Sequence, residues 1–247
     1  MKSLIRWLVL LIFALLAMQL YFVGRIAAMV VMDPQSTAFE RSEAWRIWSD
    51  QGTLRWRQQW VPYSQISNHL KRAVIASEDD GFSYHDGVDW DALEKAWQKN
   101  NRAEAQAAKK ASAAVTQRRT APRPPKVVGG STITQQLAKN LFLSGERTLL
   151  RKGQEFVLTM LLEALLNKQR ILEIYLNNVE WGEGVFGAEA AAQHYFRKPA
   201  SRLSTYEAAR LAVMLPRPKY FEKLPNSGYL SERAGVIANR LNDATLP

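Results

Sequence analysis

A run of eighteen residues without a charge, Trp7 to Gly24 (WLVLLIFALLAMQLYFVG), constrains this chain more than any other feature. A helix apolar all round has no solvated face, and eighteen residues are at the short end of a bilayer span. Arg25 follows and can snorkel, so the apolar run continues through IAAMVVM to Met32. Lys2 and Arg6 precede it, and a cationic leading flank favours a cytoplasmic N-terminus with the remainder exported. A cleaved signal peptide would have a shorter apolar core ending in an A-x-A-like site, and no such triplet stands near the end of this run. A buried core helix fits poorly with a run so extreme, N-terminal and cation-flanked. The sequence therefore predicts an uncleaved signal anchor over residues 1–32, a juxtamembrane region over 33–63 and one exported domain over 64–247.

The rest of the chain can build a core. Hydrophobic residues make up 47% and charged residues 23%, which excludes wholesale disorder. The absence of cysteine excludes a disulfide scaffold, a thiolate zinc site, a cysteine nucleophile and a thiol redox role. Charge is concentrated locally. Between Lys99 and Lys126 stand eight basic residues and one acidic residue, a net +7 of the chain's formal +10. That stretch is rich in Ala, Lys, Arg and Gln, closes with Ala-Pro-Arg-Pro-Pro-Lys and has little to bury. It reads as a flexible basic insert over 100–127, helical at most in part.

Around the insert the periodicity is helical. Ser64–Ser77 places Ile66, Leu70, Ala73 and Val74 on one face, and Asp89–Lys99 is a short helix. Thr132 with Gln135, and Ser204 with Glu207, are capping-box pairs opening helices. A helix from Thr148 is read with Phe156, Val157, Met160, Leu161 and Leu165 inward. Further helices carry Ile171, Ile174 and Tyr175, and then, from Ser231, Val236, Ile237 and Leu241. Strand signals of comparable strength are absent, so the fold class is mainly α. Trp45, Trp48, Trp56 and Trp60 suit either a headgroup boundary or packing onto the domain.

Three constellations could do chemistry. Glu78-Asp79-Asp80 is a carboxylate triplet at a helix C-terminus, where like charges and the helix dipole both oppose it. It is either a solvated turn or a reactive carboxylate to which the fold brings cations. Gly129-Gly130-Ser131-Thr132 leads into a helix carrying Gln135, Gln136 and Lys139. Glycines allow close approach and the helix N-terminus favours anions, but the Walker spacing is missing. Arg147, Arg151, Glu155 and Thr159 stand one helical turn apart, with Lys152 beside Glu155. That is an ion-pair ladder or a phosphate-binding surface. His69, His85 and His194 lack zinc-ligand spacing.

Taken together these residues resemble the family 51 glycosyltransferases, the peptidoglycan glycan-strand polymerases, in their monofunctional form. E-D-x-x-F-x-x-H-x-G is met by Glu78, Asp79, Phe82, His85 and Gly87, and G-G-S-T-I-x-Q-Q-x-x-K-N by Gly129 to Asn140. R-K-x-x-E is met by Arg151, Lys152 and Glu155. K-x-x-I-L-E-x-Y-L-N is met by Lys168 to Asn177, and the last motif by Glu207, Ala208 and Pro216. The five motifs run in the family's order. With the sequence ending at Pro247, a transpeptidase domain is not expected.

The resemblance implies a lysozyme-like helical glycosyltransferase domain on a single N-terminal transmembrane helix. Its substrate would be lipid II and the growing glycan strand, polymerised with inversion and release of undecaprenyl pyrophosphate. By the same resemblance Glu78 is the general base and Glu155 the second essential glutamate, orienting the acceptor or binding a cation. Phe82, Ser131, Gln135 and Gln136 would line the donor cleft, and Lys139, Arg147 and Arg151 would stabilise the leaving group. No cofactor is required, though magnesium or manganese is compatible with the pyrophosphate chemistry. The expected setting is the bacterial inner membrane, with the N-terminus cytoplasmic and the domain periplasmic. Expected partners are membrane lipids and cell-wall synthesis or division proteins, with no nucleic acid. The insert departs from the family's length and could dock on anionic headgroups. A lytic enzyme is the competing reading, but it would want a protonated acid in an apolar pocket. A basic adaptor or nucleic-acid binder would rest on the +7 stretch alone and leave the motifs unexplained.

Overall fold

In the computed structural model, which describes residues 2–116, 129–146 and 148–247 without the side chains of 110 and 112–116, the apolar run is one helix, α1 (Lys2–Ala28). Residues 2–18 are exposed on every side, with Trp7 at 70%. Only the far end meets the domain, along a stripe of Gln19, Phe22, Val23, Ile26 and Met29 at helical spacing. Among the described residues α1 is the single helix long and apolar enough to cross a membrane.

The segment after α1 packs into the domain. Helix α2 (Ala38–Gln51) opens with a capping box, Thr37 with Glu40, and buries Glu40 and Ile47. A short strand, β1 (Arg57–Gln58), pairs in parallel with β3 (Val185–Phe186), which pairs antiparallel with β2 (Glu180–Gly182). Gly184 between them has φ +70°, and a Cβ there would lie 2.0 Å from the Arg55 carbonyl oxygen. Trp56 stacks on Phe186 at 4.4 Å and Arg170 lies over the Trp60 ring, so these two tryptophans pack on the domain. Trp45 and Trp48 stay exposed.

The core is helical. Helix α3 (Asn68–Glu78) buries Leu70, Ala73, Val74 and Ile75 against α9 (Thr205–Met214) and α11 (Gly228–Arg240). Helix α5 (Ile133–Phe142) buries Ile133, Leu137 and Leu141 between α6 (Leu149–Leu165) and α7 (Lys168–Asn178). Helix α8 (Ala188–Phe196) follows the sheet, and α10 (Pro218–Glu222) has proline at its first turn, where no amide donor is needed. Both capping boxes read from sequence are present, and the last helix starts three residues before Ser231.

Two expectations are corrected. Helix α4 (Trp90–Thr116) does not end at Lys99 but runs through the first part of the expected insert. Ala, Gln, Glu, Lys and Arg are strong helix formers and need no buried face to stay helical. The end of the insert, residues 117–127, lies outside the described residues. In α6 the inward residues are Glu155, Leu158, Thr159 and Leu162, while Phe156, Val157 and Leu165 are exposed. The stripe read as charged is the one that turns inward.

Candidate active site

The turn after α3 meets the N-terminus of α5. Asp79 is buried. Its Oδ2 accepts the backbone N–H of Ile133 at 2.9 Å, and its Oδ1 lies 2.8 Å from His85 Nε2. Gly87 N donates to His85 Nδ1 at 3.1 Å, so the ring proton sits on Nε2 and is given to Asp79. Thr132 Oγ1 donates to the Gly87 carbonyl at 2.6 Å. The first two motifs are thereby fastened together, and Glu78, one residue before Asp79, is aimed along the side of α5.

Glu78 is half-buried. Gln136 Nε2 donates to its Oε2 at 3.0 Å. Burial raises its pKa above the ordinary carboxylate value, Asp79 adds to this, and the bonds from Gln136 and Ser77 oppose it. Such a carboxylate holds a proton more readily than a surface glutamate, as a general base should.

Two cavities meet beside Glu78. One, of about 350 Å³, is lined by Glu78, Asp80, Asp89, Lys95, Lys99 and the Gly129–Gly130 turn. The other, of about 320 Å³, is lined by Gln136, Lys139, Arg151, Lys152 and Glu155, with Phe39 at one edge. Ser131 lines both, so the Gly-Gly-Ser turn is the seam between them. In the second cavity Glu155 is 4% exposed, with Arg151 Nη1 at 2.8 Å from Oε2 and Lys152 on Oε1. Desolvation in the cleft lowers the pKa of Lys139, Glu155 opposes that, and Arg151 and Lys152 add to it. The cavity presents three cations, Lys139, Arg151 and Lys152, to two carboxylates, Glu146 and Glu155, and so carries a small positive excess.

The expected site residues thus fall into groups. Glu78, Ser131, Gln136, Lys139, Arg151 and Glu155 converge on the two cavities. Gln135 lines the second cavity, but its Oε1 is taken by the Thr132 N–H of the capping box. Phe82 does not reach the cleft. It is fully buried, with Lys168 Nζ 4.7 Å over its ring. Arg147 lies outside the described residues. A divalent cation fits poorly here: both Glu155 oxygens are held by Arg151 and Lys152, and no three metal-ligating side chains converge among the described residues.

Sequence reasoning gave the fourth motif no place in the site. Tyr175 donates from its hydroxyl to Gln136 Oε1 at 3.0 Å. Glu173 accepts from the Tyr63 N–H, and Asn177 bonds both backbone groups of Val61. The polar spacing of the motif is visible in sequence, but the partners are more than thirty residues away.

Comparison with known proteins gives the family. Residues 49–242 match the family model described as Transglycosylase. The chain is 55% identical over 234 residues to the biosynthetic peptidoglycan transglycosylase of Burkholderia thailandensis, covering 95% of this chain and 84% of that protein. Proteins with the same description from Burkholderia pseudomallei and Burkholderia orbicola are 54% and 51% identical, covering 84% and 87% of their lengths. With the family model matching more than three-quarters of the sequence, the chain belongs to the transglycosylase family.

Proposed function

We propose that this protein is a peptidoglycan glycosyltransferase that polymerises lipid II into glycan strands, with inversion at the donor carbon and release of undecaprenyl pyrophosphate. The observation that carries the reading is the position of Glu78, a half-buried carboxylate beside the seam of two cavities, one of them cationic. A sugar hydroxyl is a weak nucleophile, so a positioned base must take its proton as the new bond forms. Glu78 takes that proton from the 4-hydroxyl of the acceptor's N-acetylglucosamine. The hydroxyl oxygen attacks C1 of the donor's N-acetylmuramic acid. The C1–O bond to the pyrophosphate breaks on the opposite face, and its electron pair leaves with the phosphate oxygen. Lys139, Arg151 and Lys152 face that developing charge, where fixed cations are most effective. Glu155 holds Arg151 and Lys152 in place.

The anchor fits a lipid-linked substrate. Gln19 of α1 and Gln154 of α6 hydrogen-bond at 3.0 Å, and Phe22 packs edge-on against Phe142. Gln19 is nine residues before Ala28, about 13 Å down the helix. The start of α6 therefore lies alongside the apolar helix, with Leu149 and Leu150 almost wholly exposed. Arg151 and Lys152 of the cationic cavity stand on this same stretch of α6, close to α1, as a membrane-tethered pyrophosphate requires. The reading places the domain on the periplasmic face of the bacterial inner membrane, with Lys2 and Arg6 in the cytoplasm. Incubating the detergent-solubilised protein with labelled lipid II and sizing the products tests it: long strands support it, and disaccharide fragments cut from preformed glycan would mark a lytic enzyme instead.

A further inference from the structure

The Gln136 side chain bridges two elements. Its Nε2 lies 3.0 Å from Glu78 Oε2, and its Oε1 lies 3.0 Å from the Tyr175 hydroxyl. Chemistry fixes which end faces which. An ionised carboxylate can only accept, so Gln136 must turn its NH2 group toward Glu78. The amide oxygen then faces Tyr175, whose hydroxyl must be the donor. Tyr175 is 1% exposed and lines neither cavity. Burial, with the charges of Glu78 and Asp79, raises its phenol pKa well above the usual value, so it remains a donor throughout the working range of an enzyme.

We propose that Tyr175 is a positioning residue for the base: by donating to Gln136 it locks the amide in the orientation that lets Gln136 donate to Glu78. Without the phenol O–H, that lock is gone, and the amide can turn end for end. An amide oxygen aimed at Glu78 repels its ionised form, whereas the donated N–H stabilises it. The other charged groups around Glu78 are Asp79 beside it, Asp80 with its partner Arg240, and Asp89, Lys95 and Lys99 across the first cavity. None of these touches Gln136 or Tyr175 in a hydrogen bond among the described residues, so the relay is separable from them. The inference rests on Glu78 being the base.

The test is the pH dependence of kcat/KM on lipid II for the full-length protein, Tyr175→Phe, Gln136→Leu and the double variant. Phenylalanine keeps the shape of the buried ring, and the thermal transition reports whether the fold is kept. The acid limb should move up by about one pH unit in each single variant, the size expected for losing one hydrogen bond to a charged group. The double variant should move it no further, because both changes break the same relay. A Tyr175→Phe protein with a normal melting transition and an unmoved limb would overturn the inference, as would shifts that add in the double variant. Should Tyr175→Phe not fold, Gln136→Leu decides, since an unmoved limb there removes the bond on which the relay acts. Glu78→Gln separates the two levels: turnover retained in that variant defeats the base reading, whereas an inactive Glu78→Gln with unmoved limbs defeats only the role of Tyr175.

Discussion

Asp79 accepts the backbone N–H of Ile133 through one carboxylate oxygen and the ring N–H of His85 through the other, so a single buried side chain joins the Glu78–Asp79 turn to the helix beside it. A carboxylate at a helix N-terminus is stabilised by the unpaired amides there. Asp79→Asn retains one acceptor oxygen and turns an NH2 group toward one of the two donors. The expected cost is about 1–3 kcal/mol, read as a lower melting temperature. Removing the charge beside Glu78 also lowers the pKa of Glu78, because Asp79 raises it. The acid limb of the pH–rate profile should therefore move down.

Gly87 stands where the first motif passes over α6. Its φ is +87°, and a Cβ would meet Thr159 Cγ2 and Glu163 Cγ at 2.8 Å each. Gly87→Ala combines left-handed backbone strain with a clash against a packed helix. A loss of about 1–3 kcal/mol is expected from the backbone alone, with the Thr132–Gly87 bond disturbed as well. Thermal unfolding checks it, and a melting temperature equal to wild type would contradict the packing described.

The cationic cavity makes a kinetic prediction. Lys139→Ala and Arg151→Ala should each lower turnover at least tenfold, about 1.4 kcal/mol of barrier, with smaller effects on lipid II binding. Arg151→Ala should also destabilise the fold, because it leaves buried Glu155 with Lys152 as its one ion-pair partner among the described residues. Single-turnover rates and melting curves separate the two effects. Normal rates in both variants would place the leaving-group contact elsewhere.

Away from the cleft, burial raises Glu40 and Glu180 to pKa values of about 7 from 4.5. A group with a raised folded pKa adds stability below its unfolded value, and that contribution is lost as pH rises through the folded value. Stability should therefore decline between about pH 4.5 and 7 from these two groups. The double variant Glu40→Gln, Glu180→Gln keeps the side-chain shapes and should flatten the melting temperature across that window. An unchanged slope would show that other groups set it.

The anchor, the capping boxes at Thr132 and Ser204 and the apolar face of α3 were legible because each is a local pattern with one physical solution. Spacing in the sequence showed Glu78 at a helix end that disfavours carboxylates and Arg151 with Glu155 as an ion-pair ladder or a phosphate-binding surface, but not that they and Lys139 line adjoining cavities. The capping box of α2, Thr37 with Glu40, was equally visible in sequence, but it sits in a stretch whose tryptophans suited a headgroup boundary as well as packing onto the domain. The inward face of α6 was not legible. Its charged stripe faces the cleft and the core while Phe156, Val157 and Leu165 are exposed, the reverse of a soluble helix. Phe82 and Tyr175 depend on partners distant in sequence, and spacing alone could not give them.

The central claim is that the Glu78 carboxylate is the proton acceptor, and Glu78→Gln tests it most directly. The amide keeps the size of the side chain and removes only its basicity. Because burial disfavours the ionised Glu78, the variant should melt at or above the wild-type temperature at pH 7, and the difference should close as pH falls. Incubated with labelled lipid II, it should bind substrate normally and form no glycan strands. Polymerisation within a few-fold of the wild-type rate would contradict the account.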